Sequence, residues 1–275
     1  YAGATVRWTE VDVETCELPT WQYEQLINSH TRFVALTAAS NVVGTRPEVR
    51  KIADMAHGVG ALVHVDGVHA STHMPIDVEE LGADFFSTCA NTWCGPHVAA
   101  TVATPDLLDR LHPDKLVPTS DGIPERFETA PMAYELLAGL PAAVDHLASL
   151  DPAATGTRRE RVLASMAAVE EYERGLFGRL LSGLRWLPPV TLMGSDSTAK
   201  RAPTVAFMFS GHKPRAVVEE LARRKISAWD GDCYAHELME AVGAAELGGV
   251  IRVGLAHYTS AYDVDRLLDA LQDFR

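Results

Sequence analysis

Residues 61–69 read Ala61-Leu62-Val63-His64-Val65-Asp66-Gly67-Val68-His69, a short apolar run that ends in a carboxylate and a glycine. Similar apolar runs lie on either side of it along the chain, at Arg32–Thr37 and Asp84–Thr88. Between the first two runs, apolar residues recur at helical spacing from Val49 to Ala56. Strands that alternate with helices at this pitch predict βαβ units and a mostly parallel sheet.

The elements next to these strands have recognisable ends. Thr45 with Glu48 three residues later resembles a capping box, so we predict that a helix is capped at Thr45, and Gly60 marks its end. A short helix at Val78–Leu81 and a strand at His97–Ala103 continue the same pattern.

The second half of the chain has a different pattern. An amphipathic segment rich in Arg and Glu predicts a long helix over Arg158–Leu184, and Ser260 with Asp263 predicts the cap of a final helix. Between them we predict strands at Val190–Met193, Thr204–Phe209 and Val250–Gly254 and a helix at Arg215–Arg224. We therefore predict a large α/β domain over residues 1–150, followed by a linking helix and a small α+β domain over residues 151–275.

Composition excludes several kinds of partner. The chain has 275 residues and a net charge of −13, which repels nucleic-acid backbones and anionic lipid surfaces. No apolar run approaches the roughly 20 residues of a membrane span, and no signal peptide is recognisable. The four cysteines form no CxxC pair, which is typical of reduced thiols in a cytoplasmic protein.

The start of the chain has an unusual pattern. Ala4–Val11 alternates like a strand, yet no initiator Met and no further sequence precede it. We therefore expect additional sequence upstream of the large domain.

Polar residues follow three of the predicted strands, where ligands of parallel α/β sheets collect. The first strand leads to Ser40-Asn41, the second to Asp66, and the third to the turn Cys89–Pro96. A carboxylate at the end of a buried run is costly unless it is paired. Asp66 has two interpretations, a ligand-binding acid or a cap of the following helix, and its spacing does not separate them. The turn at Cys89–Pro96 has a structural alternative too, a plain connection between strands.

These strand ends carry the pattern of a known family. The ordered blocks are Thr37–Thr45, Val65–Ala70, Gly82–Phe86, Gly95-Pro96-His97, Arg126–Thr129 and Arg252–Thr259. Together they resemble the class V aminotransferases and cysteine desulfurases, which have the type I fold of pyridoxal-phosphate (PLP) enzymes. The resemblance covers nearly the whole chain. It implies PLP as the cofactor, a small amino or keto acid as the substrate, and a homodimer.

The resemblance assigns roles to individual residues. Asp66 matches the acid that pairs with the pyridine nitrogen and so keeps the ring an electron sink. Asn41 and His69 match positions that contact the ring edge and its hydroxyl. Arg252 matches the arginine that binds a substrate carboxylate, a task that suits its planar fork of donors. A surface salt bridge is the alternative interpretation of Arg252.

The chain departs from the family at the catalytic centre. Thr92 stands where the family has its Schiff-base lysine, and a hydroxyl cannot replace the amine. The residues before it, which in the family help to hold the phosphate, are Cys89, Ala90 and Asn91. Ala130-Pro131 replaces a Gly-Thr pair that reaches the phosphate in relatives, and Pro131 has no N–H to donate.

The cysteine of the desulfurases is displaced as well. Its position matches Tyr234, and Cys233 is one residue away, so sulfur transfer is not expected. His69 and His73 are four residues apart with His64 nearby, but no carboxylate or thiol has matching spacing and the stretch is predicted as strand and loop. We therefore predict no metal site.

These observations lead to two functional hypotheses. The first is a catalytically degenerate member of the family, a pseudoenzyme, because Thr92 replaces the PLP lysine. The alternative is a PLP-dependent transferase or lyase that acts on a small amino acid with a cofactor held non-covalently.

Overall fold

The structure is a computed structural model that describes residues 3–128 and 131–274. The chain forms two compact units that are interleaved along the sequence. The central unit contains Ser29–Leu36 and Val49–Met166. The terminal unit contains the residues up to Asn28, Thr37–Glu48, and the residues from Ala167 onward. The division near residue 150 stays a prediction from the sequence pattern.

Strands and helices alternate in the order that the sequence indicates. In chain order, the strands of the described residues are β1 (Phe33–Thr37), β2 (Leu62–Asp66), β3 (Phe85–Cys89), β4 (Ala99–Val102), β5 (Val190–Leu192), β6 (Thr204–Phe209), β7 (Trp229–Gly231) and β8 (Val250–Gly254). The helices are α1 (Thr20–Leu26), α2 (Val49–Gly58), α3 (Ala70–His73), α4 (Val78–Leu81), α5 (Pro105–Arg110), α6 (Tyr134–Leu147), α7 (Arg158–Arg185), α8 (Pro214–Arg223), α9 (His236–Ala241) and α10 (Ala261–Gln272).

A four-stranded sheet in the order β1-β2-β3-β4 organises the central unit. β2 and β3 run parallel with His64 beside Phe85, whereas β4 runs antiparallel to β3 with Thr101 opposite Ser87. Helix α2 contacts β2 and buries the apolar stripe that includes Val49 and Ile52. The predicted α/β class with a mostly parallel sheet is therefore confirmed.

The terminal unit is built on an antiparallel sheet in the order β5-β6-β8-β7. Apolar residues of α7, α8 and α10 pack with the strands in one hydrophobic core, in which Phe177, Phe207 and Leu221 are fully buried. Ser260 and Asp263 form the predicted capping box at the start of α10.

Three local predictions were wrong. Helix α2 begins at Val49 rather than after Thr45, because Thr45 forms a β-bridge with Arg201 and its hydroxyl donates to the carbonyl of Cys16. Ala4–Val11 forms no strand; this described segment lies mostly exposed, and the backbone of Glu10 bonds to the side chain of Gln22. The stretch after His69, predicted as loop, is the helical turn α3.

Other elements lacked a clear sequence signal. Helix α6 contains Pro141, which normally argues against a helix interior, and α1, α9 and β7 are each seven residues or shorter. Among the described residues, none of the helices combines the length and the apolar character that crossing a bilayer requires.

Candidate functional site

The end of β2 supplies the first part of the candidate site. Asp66 is exposed, and its Oδ1 accepts a hydrogen bond from the backbone N–H of Val68 at 2.9 Å. This contact forms a local turn before α3, and Asp66 does not cap that helix, whose N-cap residue is His69. The expectation of a carboxylate in a buried position is corrected, because Asp66 lies at the exposed end of its strand.

Gly67 lets the chain turn directly after Asp66. A Cβ at this position would lie 1.9 Å from the ring of Phe86, which is buried in the sheet. The N–H of Gly67 also donates to the carbonyl of Ser87 at 2.8 Å, so β2 and β3 stay paired up to the turn. The close approach to Phe86 explains why a glycine follows the acid.

His69 directly precedes α3 and has helical backbone angles, with no hydrogen bond from its side chain to the helix start. Its ring packs edge-on against that of His73 with 4.9 Å between the ring centroids, and His73 is buried. His64 is engaged elsewhere, since its Nε2 lies 2.8 Å from the hydroxyl of Ser87.

Thr92 lies in a 3-10 turn, Ala90–Trp93, that follows β3. Its hydroxyl is directed at two backbone carbonyl oxygens, that of Cys89 at 2.8 Å and that of Val68 at 3.1 Å. The carbonyl of Thr92 in turn accepts from the hydroxyl of Thr72 in α3 at 3.1 Å. Thr92 therefore connects the ends of β2 and β3 through hydrogen bonds of the protein itself.

Neighbouring polar groups add to this network. The hydroxyl of Thr88 donates to that of Ser71 at 3.0 Å and accepts from the indole N–H of Trp93 at 3.0 Å. The thiol of Cys89 donates to the side-chain carbonyl of Asn91, which is exposed. The polar side chains of this turn thus bond to one another.

In the terminal unit, the segment after β1 forms a turn that carries Asn41. The hydroxyl of Ser40 accepts from the N–H groups of Val42 and Val43 at 3.2 and 3.3 Å. Gly44 has a φ of +76°, and a Cβ there would lie 2.3 Å from the carbonyl oxygen of Ala202. Asn41 itself is exposed, and its Nδ2 donates to the carbonyl of Cys233 at 3.0 Å.

Arg201 is a buried residue that holds this turn and that the sequence did not single out. Its guanidinium donates to the carbonyls of Val43 and Thr204, each at 3.0 Å, and also to that of Ser195. It lies over the ring of Phe177 at 4.9 Å from the centroid. Burial lowers the pKa of Arg201 to about 10 despite the nearby Cys16 and Glu17. An arginine next to an apolar strand is a common sequence pattern, so the sequence does not predict that Arg201 bonds to these carbonyls.

Cys233 and Arg252 meet in the same unit. Burial raises the pKa of the Cys233 thiol, and the Arg252 guanidinium that contacts it offsets this shift in part. Nε of Arg252 is buried without a hydrogen-bond partner in the part of the chain that the structure describes. Asn41 also bonds to Cys233. Two residues of the predicted site, Asn41 and Arg252, therefore contact the same residue.

Tyr234 occupies the position predicted for the desulfurase cysteine. Its side chain is 98% exposed. Cys233 and Tyr234 have φ values of 52° and 61°, and Oδ1 of Asp232 accepts from the N–H of Tyr234 at 3.0 Å. Two successive residues other than glycine with positive φ are uncommon and indicate a strained loop.

Comparison with known proteins agrees with this fold. The family model of the class V aminotransferases, "Aminotransferase class-V", matches residues 1–267. An uncharacterised protein of Mycobacterium tuberculosis is 37% identical over 98% of this chain and 67% of its own length. An aminotransferase-like protein of Gibberella zeae is 32% identical over 98% of this chain and 66% of its own length.

Solved structures show the same fold. The apo structure of a cysteine desulfurase from Thermococcus onnurineus superposes with a TM-score of 0.82 at 23% identity, over 96% of this chain and 64% of that one. The present chain therefore spans about two thirds of the length of the relatives that it matches. On the match to the family model over residues 1–267, the chain belongs to the class V aminotransferase family.

Proposed function

We propose that this protein is a catalytically degenerate member of its family that does not form a Schiff base with PLP. The observation that carries the proposal is the state of Thr92, whose hydroxyl is directed at the carbonyls of Val68 and Cys89. The residue at the position of the family lysine is thus part of the backbone framework of the turn.

The chemistry of the residue supports this proposal. A Schiff base needs a primary amine, and a threonine hydroxyl cannot form one. The lysines of the central unit lie elsewhere, Lys51 within α2 and Lys115 in a loop where its Nζ donates to the carbonyl of Thr119 at 2.7 Å. Lys200 pairs with Glu48 in the terminal unit.

This chain also has fewer groups than the family that could bind the phosphate of PLP. Ala90 offers no side-chain donor, and the thiol of Cys89 is used by Asn91. Pro131 has no N–H, and Ala130 lies outside the described residues. The described residues therefore do not fit the lysine-bound, phosphate-anchored form of the cofactor, although the exposed carboxylate of Asp66 suits a protonated ring nitrogen.

Sulfur transfer receives no support from the loop that carries Cys233. The attacking species in that chemistry is a thiolate on an accessible loop, whereas Cys233 is buried and burial raises its pKa. Tyr234 occupies the exposed position next to it.

A second candidate function is non-covalent binding of PLP or of a small carboxylic acid. The buried, unpartnered Nε of Arg252 favours it, because a carboxylate would satisfy this donor. For this version, the family resemblance assigns Asp66 to the ring nitrogen, Asn41, His69 and Asn91 to the cofactor, and Arg252 to a small amino or keto acid.

Location and assembly are proposed as well. All four cysteines are free, and Cys16 and Cys233 are buried, which supports a reducing compartment such as the cytoplasm. A homodimer is proposed from the resemblance to the family alone, and light scattering in solution measures it.

The decisive experiment is a titration of the purified chain with PLP, followed by dialysis. The degenerate version predicts neither an internal-aldimine absorption band nor retained cofactor. If PLP is retained without this band, and if Asp66→Asn abolishes the retention, the non-covalent candidate would be favoured. A stable band in the unmodified chain would overturn the proposal.

A further inference from the structure

Cys94 ends the turn that carries Thr92. It follows the 3-10 turn Ala90–Trp93 and has a φ of 68°, in the left-handed region that residues with a side chain seldom adopt. Its N–H donates to the carbonyl of Ala90, and the N–H of Gly95 donates to the same carbonyl at 2.7 Å. The backbone around Cys94 is therefore fixed by hydrogen bonds, which set the direction of its side chain.

Helix α6 of the same unit packs against this turn. A Cβ at Gly139 of α6 would lie only 3.3 Å from Cγ of Pro96, so the glycine allows the helix to approach closely. His146 follows Gly139 by seven residues, which is two helical turns, and lies on the same face of α6. The packing of α6 therefore brings the imidazole of His146 to the turn.

The thiol of Cys94 and the imidazole of His146 form a pair. Sγ of Cys94 and a ring nitrogen of His146 lie within 4.8 Å of each other, and both residues are exposed. The other cysteines have different surroundings, since Cys16 and Cys233 are buried and the thiol of Cys89 is used in a hydrogen bond. Cys94 thus combines an accessible thiol with a neighbouring base.

An imidazole next to a thiol is the arrangement that activates cysteine nucleophiles. The ring accepts the thiol proton, and the resulting thiolate is the reactive species. The two groups are often further apart than a hydrogen bond until a reagent binds. We propose that Cys94 is a site of oxidation by hydrogen peroxide, and that His146 is the base that activates it.

The step balances without a further reagent. The thiolate of Cys94 attacks one oxygen of the peroxide, so that an S–O bond forms and the O–O bond breaks. The sulfur loses two electrons and the peroxide gains them. The departing hydroxide takes the proton from His146 and leaves as water. The product is a sulfenic acid, which an added thiol reduces back to the cysteine.

This modification site differs from the candidate cofactor site. The family resemblance assigns no cofactor contact to Cys94 or His146, and the inference does not depend on whether PLP binds. Cys94 lies two residues after Thr92, so its oxidation adds a polar group to the turn whose hydroxyl bonds join the ends of β2 and β3.

Trapping of the sulfenic acid tests the inference. The reduced chain is treated with hydrogen peroxide in the presence of a dimedone probe, and peptide mass mapping follows the label at each cysteine over time. We expect Cys94 to be labelled about tenfold or more faster than Cys89, which belongs to the same turn. His146→Ala should slow the labelling of Cys94 by about tenfold or more, because the base is lost. Free imidazole added to His146→Ala should restore much of the rate.

His112→Ala is the matched control, because His112 is also an exposed histidine of the central unit but lies in the loop after α5. It should leave the labelling rate of Cys94 unchanged. Circular dichroism checks that each variant is folded. Equal rates for the unmodified chain and His146→Ala would overturn the proposal. The same holds for faster labelling of Cys89 than of Cys94, or for a folded His146→Ala variant that imidazole does not rescue.

Discussion

Asp66 and Thr92 are connected through one residue, because Asp66 accepts from the N–H of Val68 at 2.9 Å and Thr92 is directed at the carbonyl of Val68 at 3.1 Å. The acid that would pair with a cofactor ring and the residue at the lysine position thus hold the same short turn. Both of these hydrogen bonds are made within the protein. A family site that had kept its lysine would use both positions for the cofactor instead.

The hydroxyl of Thr92 should contribute to stability. Thr92→Val keeps the shape of the side chain but removes the donor to Val68 and Cys89, so we expect the free energy of unfolding to fall by about 1–2 kcal/mol. Urea denaturation measures the change. Thr92→Ser retains the hydroxyl and is the control, and equal stability of the two variants would contradict a role for these hydrogen bonds.

Gly67 should tolerate no side chain. In Gly67→Ala the new Cβ meets the buried ring of Phe86, and we expect a loss of about 1–3 kcal/mol in unfolding free energy. Gly58→Ala is the matched control, since a Cβ at this last residue of α2 meets nothing within 4 Å. Thermal unfolding of the two variants compares them, and an unchanged midpoint for Gly67→Ala would show that the turn relaxes freely.

Arg201 should stabilise the terminal unit through its planar fork. Arg201→Lys keeps the charge but cannot reach the carbonyls of Val43, Thr204 and Ser195 together, so we expect a loss of about 2 kcal/mol or more. The control is Arg185→Lys, which alters an exposed ion pair with Asp196 and should change the unfolding free energy by less than about 1 kcal/mol. Similar urea midpoints for both variants would contradict this stabilising role of Arg201.

The thiol of Cys233 should resist modification, and its ionisation should make the stability of the folded state depend on pH. Burial raises its pKa above the ordinary value of 9.0, so the folded state keeps the proton that the unfolded chain releases. The resulting contribution to stability is present below 9.0 and is lost as pH rises through the higher folded pKa. Cys233→Ala should therefore lose less stability than the unmodified chain between about pH 8 and about pH 10.

Alkylation of the native protein tests independently how accessible the same thiol is. Cys94 is exposed and should react first, whereas Cys233 should react only after denaturation. Rapid labelling of native Cys233 near neutral pH would reopen a sulfur-transfer role.

Much of the fold follows from local sequence patterns. The bounds of β6 and β8 agree with the prediction to the residue, because both strands are rich in apolar residues that are mostly buried, and Ser260 caps α10 as expected from local spacing alone. The start of α2 could not be predicted in this way. Thr45 has the sequence of a cap, but a bridge to Arg201, more than 150 residues away, keeps it extended.

The candidate site was predicted only in part. The positions of Asp66 at the end of β2 and of Thr92 after β3 follow from strand spacing, but their common partner Val68 depends on how the turn before α3 folds. The exposure of Asp66 at the end of β2 is a property of the folded sheet, which no local pattern encodes. Arg201 bonds to carbonyls of three separate segments, so its role appears only in the folded chain.

Borohydride reduction after incubation with PLP and dialysis, followed by peptide mass mapping, tests the central claim most directly. A Schiff base at any amine would be reduced to a stable pyridoxyl group, and the chain has five lysines, Lys51, Lys115, Lys200, Lys213 and Lys225. We predict that none of them carries a stoichiometric label. One lysine labelled to completion would contradict the account, because another residue would then supply the amine that Thr92 lacks.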